Sequence, residues 1–214
     1  MDKELCIENV ERIVKNPYYI GTQVIHIAFS LTAIFFIILT RDYLVGYRCH
    51  KNVKVIFWAL YGCIIVHGLI FITFETQHMV TAWTAKTPCD LFQSPMFCLP
   101  IRIALHLTCN SFVMLQLGLC VERTLATLSM GSYETHGLSK GTSVCIVAIS
   151  VAVIGAVYMD LSSSNSDKLS SCLNNQGDNW LIVDVTNYCL TTINIIAFLW
   201  ACVLLVCNKL HRRS

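Results

Sequence analysis

CLPIRIALHLTCNSFVMLQLGLCVER, residues 98–123, is the stretch of sequence that decides the fold. Between Cys98 and the terminal Glu122–Arg123 pair it carries one charged residue, Arg102, near its start. An α-helix rises about 1.5 Å per residue, so the interval from Cys98 to Arg123 covers roughly 37 Å, close to one tilted membrane crossing. The pattern therefore predicts a membrane helix with a cysteine at one surface and an acidic–arginine pair at the other.

The composition of the whole chain agrees with a membrane protein. Apolar residues make up 55% of the 214 residues and charged residues only 13%, whereas about a quarter of an average soluble domain is charged. Charge-poor runs long enough to cross a membrane recur along the chain. The five predicted spans are residues 20–40, 55–74, 99–121, 142–159 and 180–208. We therefore predict an all-α membrane protein with a helical bundle over residues 20–208.

The distribution of basic residues predicts the orientation of this bundle. With the N-terminus outside, nine of the 15 Lys and Arg residues fall on the inner side. The short loop after the first span alone contributes four of them: Arg41, Arg48, Lys51 and Lys54. Positive charges beside a span resist translocation. We therefore expect residues 1–19 to be extracellular and the tail, residues 209–214, to be cytoplasmic.

The 12 cysteines divide according to this topology. Most fall within or beside the spans, where cysteine behaves as a small apolar residue. Four fall on the oxidising side, where disulfides form: Cys6, Cys89, Cys98 and Cys172. Four cysteines allow three connectivities. We favour a Cys98–Cys172 bridge, with Cys6–Cys89 as the second; the alternative is that one or more of these thiols stays free.

The Glu122–Arg123 pair has two interpretations. Charged residues are costly in the middle of a membrane helix and inexpensive at the interface, so the pair can simply mark a helix end at the membrane surface. Alternatively, Arg123 binds a neighbouring helix. Adjacent side chains on a helix point about 100° apart, so we expect no strong pair between Glu122 and Arg123 themselves.

Polar residues in two of the spans are candidates for a ligand pocket. On the third span Arg102, His106 and Asn110 recur every four residues and share one face. The fifth span offers four more at a comparable depth: Asp184, Asn187, Tyr188 and Thr191. Polar residues at this depth mark functional sites, and an Arg102–Asp184 ion pair would close the pocket. The alternative is that such residues, with His26, His67 and His78, only form hydrogen bonds between helices.

Four segments of the chain resemble a known family. They are Asn16-Pro-Tyr-Tyr, Gly46-Tyr-Arg-Cys-His-Lys-Asn-Val-Lys, Cys98-Leu-Pro-Ile-Arg and Val121-Glu-Arg-Thr-Leu-Ala-Thr. They are similar to the nematode Sra superfamily of serpentine chemoreceptors, most closely the alpha/beta (Srab-like) class. The resemblance implies a seven-helix, G-protein-coupled receptor of sensory neurons, in the plasma membrane, that detects small environmental chemicals and signals through heterotrimeric G proteins.

The resemblance also implies roles for individual residues. Glu122 and Arg123 stand where the family carries its acidic–arginine motif, with Arg123 as a latch that is released when a G protein inserts. Cys98 stands at the bridging cysteine of the family. The sequence supplies five of the seven helices, so we expect a GPCR-like bundle that is truncated after the fifth.

Other functions find less support in the sequence. It contains no phosphate-binding glycine loop, zinc-protease motif or serine-nucleophile motif, so we expect neither an enzyme, nor a metal site, nor a cofactor, and no nucleic-acid partner. The alternative function is that of a multispan transporter or channel subunit, or of a non-signalling membrane scaffold. A transporter should carry carboxylates at mid-depth, whereas every acidic residue here lies at or near the end of a predicted span.

Overall fold

In a computed structural model, residues 16–46, 50–87, 93–128, 139–162, 172 and 180–211 are described, and they form five α-helices. The helices are α1 (Pro17–Gly46), α2 (Lys51–Thr84), α3 (Pro95–Leu128), α4 (Ser139–Ser162) and α5 (Trp180–His211). Each is long and apolar enough to cross a membrane. A helix satisfies its own backbone hydrogen bonds, which a lipid environment requires. The predicted all-α class with five membrane helices is confirmed.

The helices are longer than the predicted spans. Two of them, α2 and α3, begin early because capping residues precede them. Ser94 begins α3: its hydroxyl accepts a hydrogen bond from the Phe97 N–H at 3.3 Å, and Pro95 occupies the first helical position. His50 caps α2 in a similar way through Asn52 N–H. The largest difference lies at the end of α2, which continues ten residues beyond the predicted span to Thr84. The membrane boundaries themselves stay a prediction.

Helix α3 is the centre of the bundle. It packs against α2, α4 and α5, while α1 packs against α2. A buried apolar cluster joins three of these helices through Ile56 and Leu60 of α2, Leu115 of α3, and Cys145 and Ala148 of α4. Because α3 is surrounded on several sides, both of its ends are held in fixed positions relative to the other helices.

Small residues allow α4 to approach its neighbours closely. Its buried face carries alanines at positions 148, 152 and 156. At the start of α4, a Cβ atom on Gly141 would lie 2.6 Å from the backbone oxygen of Asn52 in α2. On α3, a Cβ atom on Gly118 would collide with Val144. Close backbone contact through small residues is the usual way in which membrane helices associate, because lipid gives no hydrophobic driving force between them.

Candidate functional site

A disulfide fixes one end of α3. Cys98, in the first turn of the helix, is bonded to Cys172, and the two Cα atoms lie 4.8 Å apart. Both cysteines are fully buried and pack with Phe74 of α2 and Ile101. The predicted Cys98–Cys172 bridge is confirmed. The second predicted bridge, Cys6–Cys89, lies outside the described residues. We call this end of the bundle the disulfide end.

The opposite end of α3 carries the acidic–arginine pair. The Arg123 guanidinium donates from Nε to Glu122 Oε2 at 2.7 Å and from a terminal nitrogen to Glu122 Oε1 at 3.3 Å. Our expectation that the two side chains would not pair was wrong. The long Arg123 side chain bends back along the helix surface and covers the angle between the two Cβ directions. The Glu122 side chain is only 3% exposed and that of Arg123 is 37% exposed.

This geometry makes Arg123 an accessible cation bound to a buried anion. A carboxylate removed from water requires compensation, and two charge-assisted hydrogen bonds in a fork arrangement supply it. A partner that withdrew the guanidinium would leave the Glu122 carboxylate buried with less compensation. A group that approaches the exposed side of Arg123 would therefore compete with Glu122 for the guanidinium.

The predicted pocket residues of α3 face the interior of the bundle. Arg102 and Asn110 are buried and His106 is half-buried. The Asn110 amide nitrogen lies beside Gly155 of α4, where a Cβ atom would approach it to 3.3 Å. Asn110 thus lies at a helix–helix interface, as the alternative interpretation of these residues expects.

The predicted pocket residues of α5 lie elsewhere. Asp184, Asn187, Tyr188 and Thr191 are all exposed. In the described part of the chain, no ion pair joins Asp184 to Arg102. The structure therefore does not bring the α3 and α5 candidates together into one closed pocket.

An open groove of about 470 Å³ does lie between α3 and α5. Its walls include Gln116 and Cys120 of α3 and Thr191 and Asn194 of α5. The Cys120 thiol donates a hydrogen bond to the Ala197 carbonyl at 3.3 Å, which fixes the two helices at the floor of this groove. Of the predicted pocket residues, Thr191 alone lines it.

A histidine and a threonine connect α2 to α3. His67 Nδ1 lies 2.8 Å from Thr108 Oγ1, and the Thr108 hydroxyl also reaches the Ala104 and Leu105 carbonyls at 3.0 Å. A hydroxyl has one proton, so when Thr108 donates to its own helix the tautomer of His67 with a proton on Nδ1 donates to the Thr108 oxygen. This is a hydrogen bond between helices, as one interpretation of His67 expects.

We expect Thr108→Val, which preserves the shape of the side chain, to lower the free energy of unfolding by about 0.6 kcal/mol. The matched control is Thr32→Val, because the Thr32 hydroxyl is bonded to the Ala28 carbonyl of its own helix. Unfolding by a denaturing detergent in mixed micelles measures both variants. Equal losses in the two variants would mean that the His67 contact adds nothing.

Sequence reasoning missed a second buried polar cluster. Gln23 of α1 and Glu75 and His78 of α2 are all buried. Glu75 was assigned to the end of the second span because the charge-free run stops at Phe74. The spacing of the two residues could have revealed the cluster. Glu75 and His78 lie three residues apart, so they share one face if the helix extends past Phe74. Among the described residues, no group of His, Cys, Asp or Glu side chains is arranged to hold a metal ion.

Comparison with known proteins identifies the family to which this helical bundle belongs. Residues 7–214 match the family described as "Serpentine type 7TM GPCR receptor class ab chemoreceptor". The chain belongs to this family. The match covers nearly all of the sequence, so the resemblance that was based on four short segments is confirmed.

Individual serpentine receptors are similar to this chain over shorter stretches than the family match covers. "Serpentine receptor class alpha-39" of Caenorhabditis elegans is 28% identical over 65% of this chain and 37% of its own length. "Serpentine receptor class beta-17" of the same species is 24% identical over 85% of this chain and 49% of its own length. The matched region thus spans less than half the length of these relatives. Membership of the family, with five helices long and apolar enough to cross a membrane, makes this a multi-pass membrane protein.

Proposed function

We propose that this serpentine receptor detects small environmental chemicals and signals through a heterotrimeric G protein in the plasma membrane of sensory neurons. One observation supports the proposal above all. A single central helix is covalently fixed at one end through Cys98 and carries the Glu122–Arg123 pair at its other end. Such a helix connects a ligand-facing end to a partner-facing end of the bundle.

The disulfide also supports the proposed orientation. Structural disulfides persist on the oxidising side of a membrane, so the disulfide end faces the exterior. Glu122 and Arg123 then face the cytoplasm, where the basic loops also lie. With five crossings, this orientation places the N-terminal segment outside and the tail inside.

The Glu122–Arg123 contact suggests how coupling works. Among the described residues, the guanidinium is held by Glu122, its neighbour on the same helix. A G protein that inserts at this end offers carbonyl or carboxylate groups to the exposed side of Arg123. The bonds that the guanidinium forms with the partner offset part of the cost of leaving the Glu122 carboxylate less compensated. A ligand at the other end shifts this equilibrium by as much as its affinities for the two states differ.

The ligand site that we propose lies between the disulfide end and the middle of the bundle. Its candidate contacts on α3 are Arg102, His106 and Asn110. Its further candidate contacts are the exposed polar residues of α5 at a comparable depth: Asp184, Asn187, Tyr188 and Thr191. A small chemical with both polar and apolar parts matches the mixture of polar side chains and apolar walls.

Arg123→Ala tests the proposed coupling. In cells that express the receptor with a G-protein dissociation sensor and are exposed to a panel of small volatile and water-soluble chemicals, we expect at least a tenfold loss of response. Because Arg123→Ala leaves the buried Glu122 carboxylate without this guanidinium, the response is normalised to surface expression. Glu122→Gln should instead raise basal signalling, since it weakens the hold on the guanidinium.

Thr124→Ala is the matched control for this experiment. Thr124 follows Arg123 directly and its hydroxyl is bonded to the Cys120 carbonyl of its own helix at 2.8 Å. Its response should equal that of the unmodified receptor. A normal response from Arg123→Ala would refute the coupling role. If the chemicals evoke a flux of solute or ions through the protein but no signal from the G-protein dissociation sensor, the result would favour a transporter or channel.

A further inference from the structure

The groove between α3 and α5 has a binding chemistry that the proposed coupling does not use. Small residues create it: Ala197 and Ala201 lie four residues apart on α5, on the side that meets α3. The Cys120 thiol joins the two helices at the Ala197 carbonyl. Beside this contact the helix surfaces separate and leave the volume of about 470 Å³, a size typical of small-molecule pockets.

Two carboxamide side chains line the groove, Gln116 of α3 and Asn194 of α5. Both are half-buried, and among the described residues neither amide forms a hydrogen bond. The Thr191 hydroxyl, which also lines the groove, donates to the Asn187 carbonyl of its own helix at 2.8 Å. An amide has N–H donors and a carbonyl acceptor, and in an apolar environment it is unfavourable until these groups are paired. The groove thus holds two hydrogen-bonding groups that require a partner.

The amides lie in the middle of their helices. Asn194 is ten residues from each end of the apolar stretch Asp184–Leu204, about 15 Å along the helix axis in both directions. Gln116 lies seven residues before Arg123, roughly 10 Å along α3. Lipid tails carry no hydrogen-bonding group, so a partner for these amides must bring its own polar atom to this depth.

The walls of the groove define the chemistry of that partner. Leu119, Ile195 and Phe198 are apolar, and none of the described lining residues is charged. A charged ligand would therefore remain uncompensated there. For a metal ion, the described residues hold no suitable group of His, Cys, Asp or Glu side chains. A second copy of the chain fits poorly, because a symmetric contact places the same concave surface against itself and leaves a void.

We propose that the groove between α3 and α5 binds a small neutral molecule from the membrane, one with a hydroxyl, carbonyl or amide group on an apolar body. The polar group pairs with Gln116 and Asn194, and the apolar body lies against the apolar walls. Ile195 and Phe198 are each more than half exposed, so the groove opens toward the lipid and the ligand enters from the side. This site shares only Thr191 with the ligand site proposed above, so the two sites can be tested separately.

Photolabelling of the full chain in lipid nanodiscs tests this site. The probe is a diazirine-bearing octanol, and mass spectrometry measures its incorporation into α3 and α5. We expect labelling that saturates and that unlabelled octanol displaces. Asn194→Leu and Gln116→Met each remove one amide with little change in volume. Each should raise the probe concentration for half-maximal labelling about three- to tenfold, the effect of one lost hydrogen bond. Ala201→Phe keeps both amides but fills the groove, so it should abolish saturable labelling.

Thr192→Val is the matched control. Thr192 is exposed on α5, does not line the groove, and donates to the Tyr188 carbonyl of its own helix at 2.8 Å. Its labelling should equal that of the unmodified chain. If one amide variant does not fold, the other provides the same comparison. Equal half-maximal concentrations for the unmodified chain and a folded amide variant would overturn the proposal.

Two further arms identify the occupant. A diazirine-bearing octane, which lacks the hydroxyl, should label without saturation; saturable labelling equal to that of the octanol probe would mean that the groove takes lipid tails and would overturn the proposal. Octanol labelling that is lost in nanodiscs with two copies of the chain would identify a second copy as the occupant and would overturn it too. Displacement of the probe by cholesterol would assign the site to a membrane sterol of the proposed chemistry, and no displacement would assign it to smaller molecules. None of these measurements involves a G protein, so their result is independent of the proposed coupling.

Discussion

Replacing Cys98 with serine should lower the thermal stability of this receptor more than any other single change that we propose. The Cys98–Cys172 bridge closes a loop with a sequence separation of 74 residues. In the chain-entropy model a loop of this length contributes about 4 kcal/mol, which corresponds to a fall in Tm of roughly 10 °C for a chain of this size. The bridge also holds Cys172 against Phe74 of α2. Surface expression at physiological temperature should therefore fall as well.

Three further measurements make this prediction specific. Cys98→Ser combined with Cys172→Ser should cost no more than either change alone, since both break the same bond. Cys109→Ser, an exposed free cysteine on the same helix, is the control and should be nearly neutral. Alkylation of the folded, unreduced protein should leave Cys98 and Cys172 unlabelled. Labelling of both residues, or additive losses of stability, would contradict the bridge.

The second large effect is expected from Gly141→Ala. A Cβ atom at this position would lie 2.6 Å from the Asn52 carbonyl oxygen and 2.7 Å from the Asn52 Cα. Both are backbone atoms at the capped start of α2, so no side chain can rotate away and one helix must move. Overpacking of this kind costs about 1–3 kcal/mol. Denaturing-detergent titration should show a loss in that range.

Gly62→Ala is the matched control, because a Cβ atom on Gly62 of α2 meets no other atom within 4 Å. Alanine favours a helix over glycine by about 1 kcal/mol, so this change should be neutral or stabilising. Opposite signs for the two glycine substitutions would show that the contact, and not helix propensity, determines the result. A stable Gly141→Ala would mean that α2 and α4 do not approach each other as closely as described.

Much of the fold follows from the sequence because few backbone structures are stable in lipid. Long charge-free runs must form helices in order to satisfy their backbone, so five helices were predictable from composition and run length alone. The disulfide was the favoured one of three connectivities, because it ties the start of the third helix to the segment before the fifth and because Cys98 stands at the bridging cysteine of the family that the chain resembles. The family was recognisable from four short segments around the helix ends.

The details of the site were less predictable. Run length stops at the first charge, so it placed Glu75 at the end of a span, whereas α2 continues to Thr84 and buries this residue against α1. Angular position on a helix argued against a Glu122–Arg123 pair, but that argument considers Cβ directions and ignores the reach of an arginine side chain. Spacing grouped Asp184 with Arg102, although a shared depth in the membrane does not specify which helices are neighbours.

The sequence by itself determined that the described part of this chain holds five helices long and apolar enough to cross a membrane, that Cys98 and Arg123 lie at opposite ends of one helix, and that the family is a serpentine receptor family. Each of these is a property of one segment or of its hydropathy. Only the tertiary structure decided that Arg123 is held by Glu122, that Glu75 faces His26, and that Gly141 touches Asn52. The first depends on the conformation of one long side chain, and the other two depend on the rotation and separation of packed helices, which distant residues determine together.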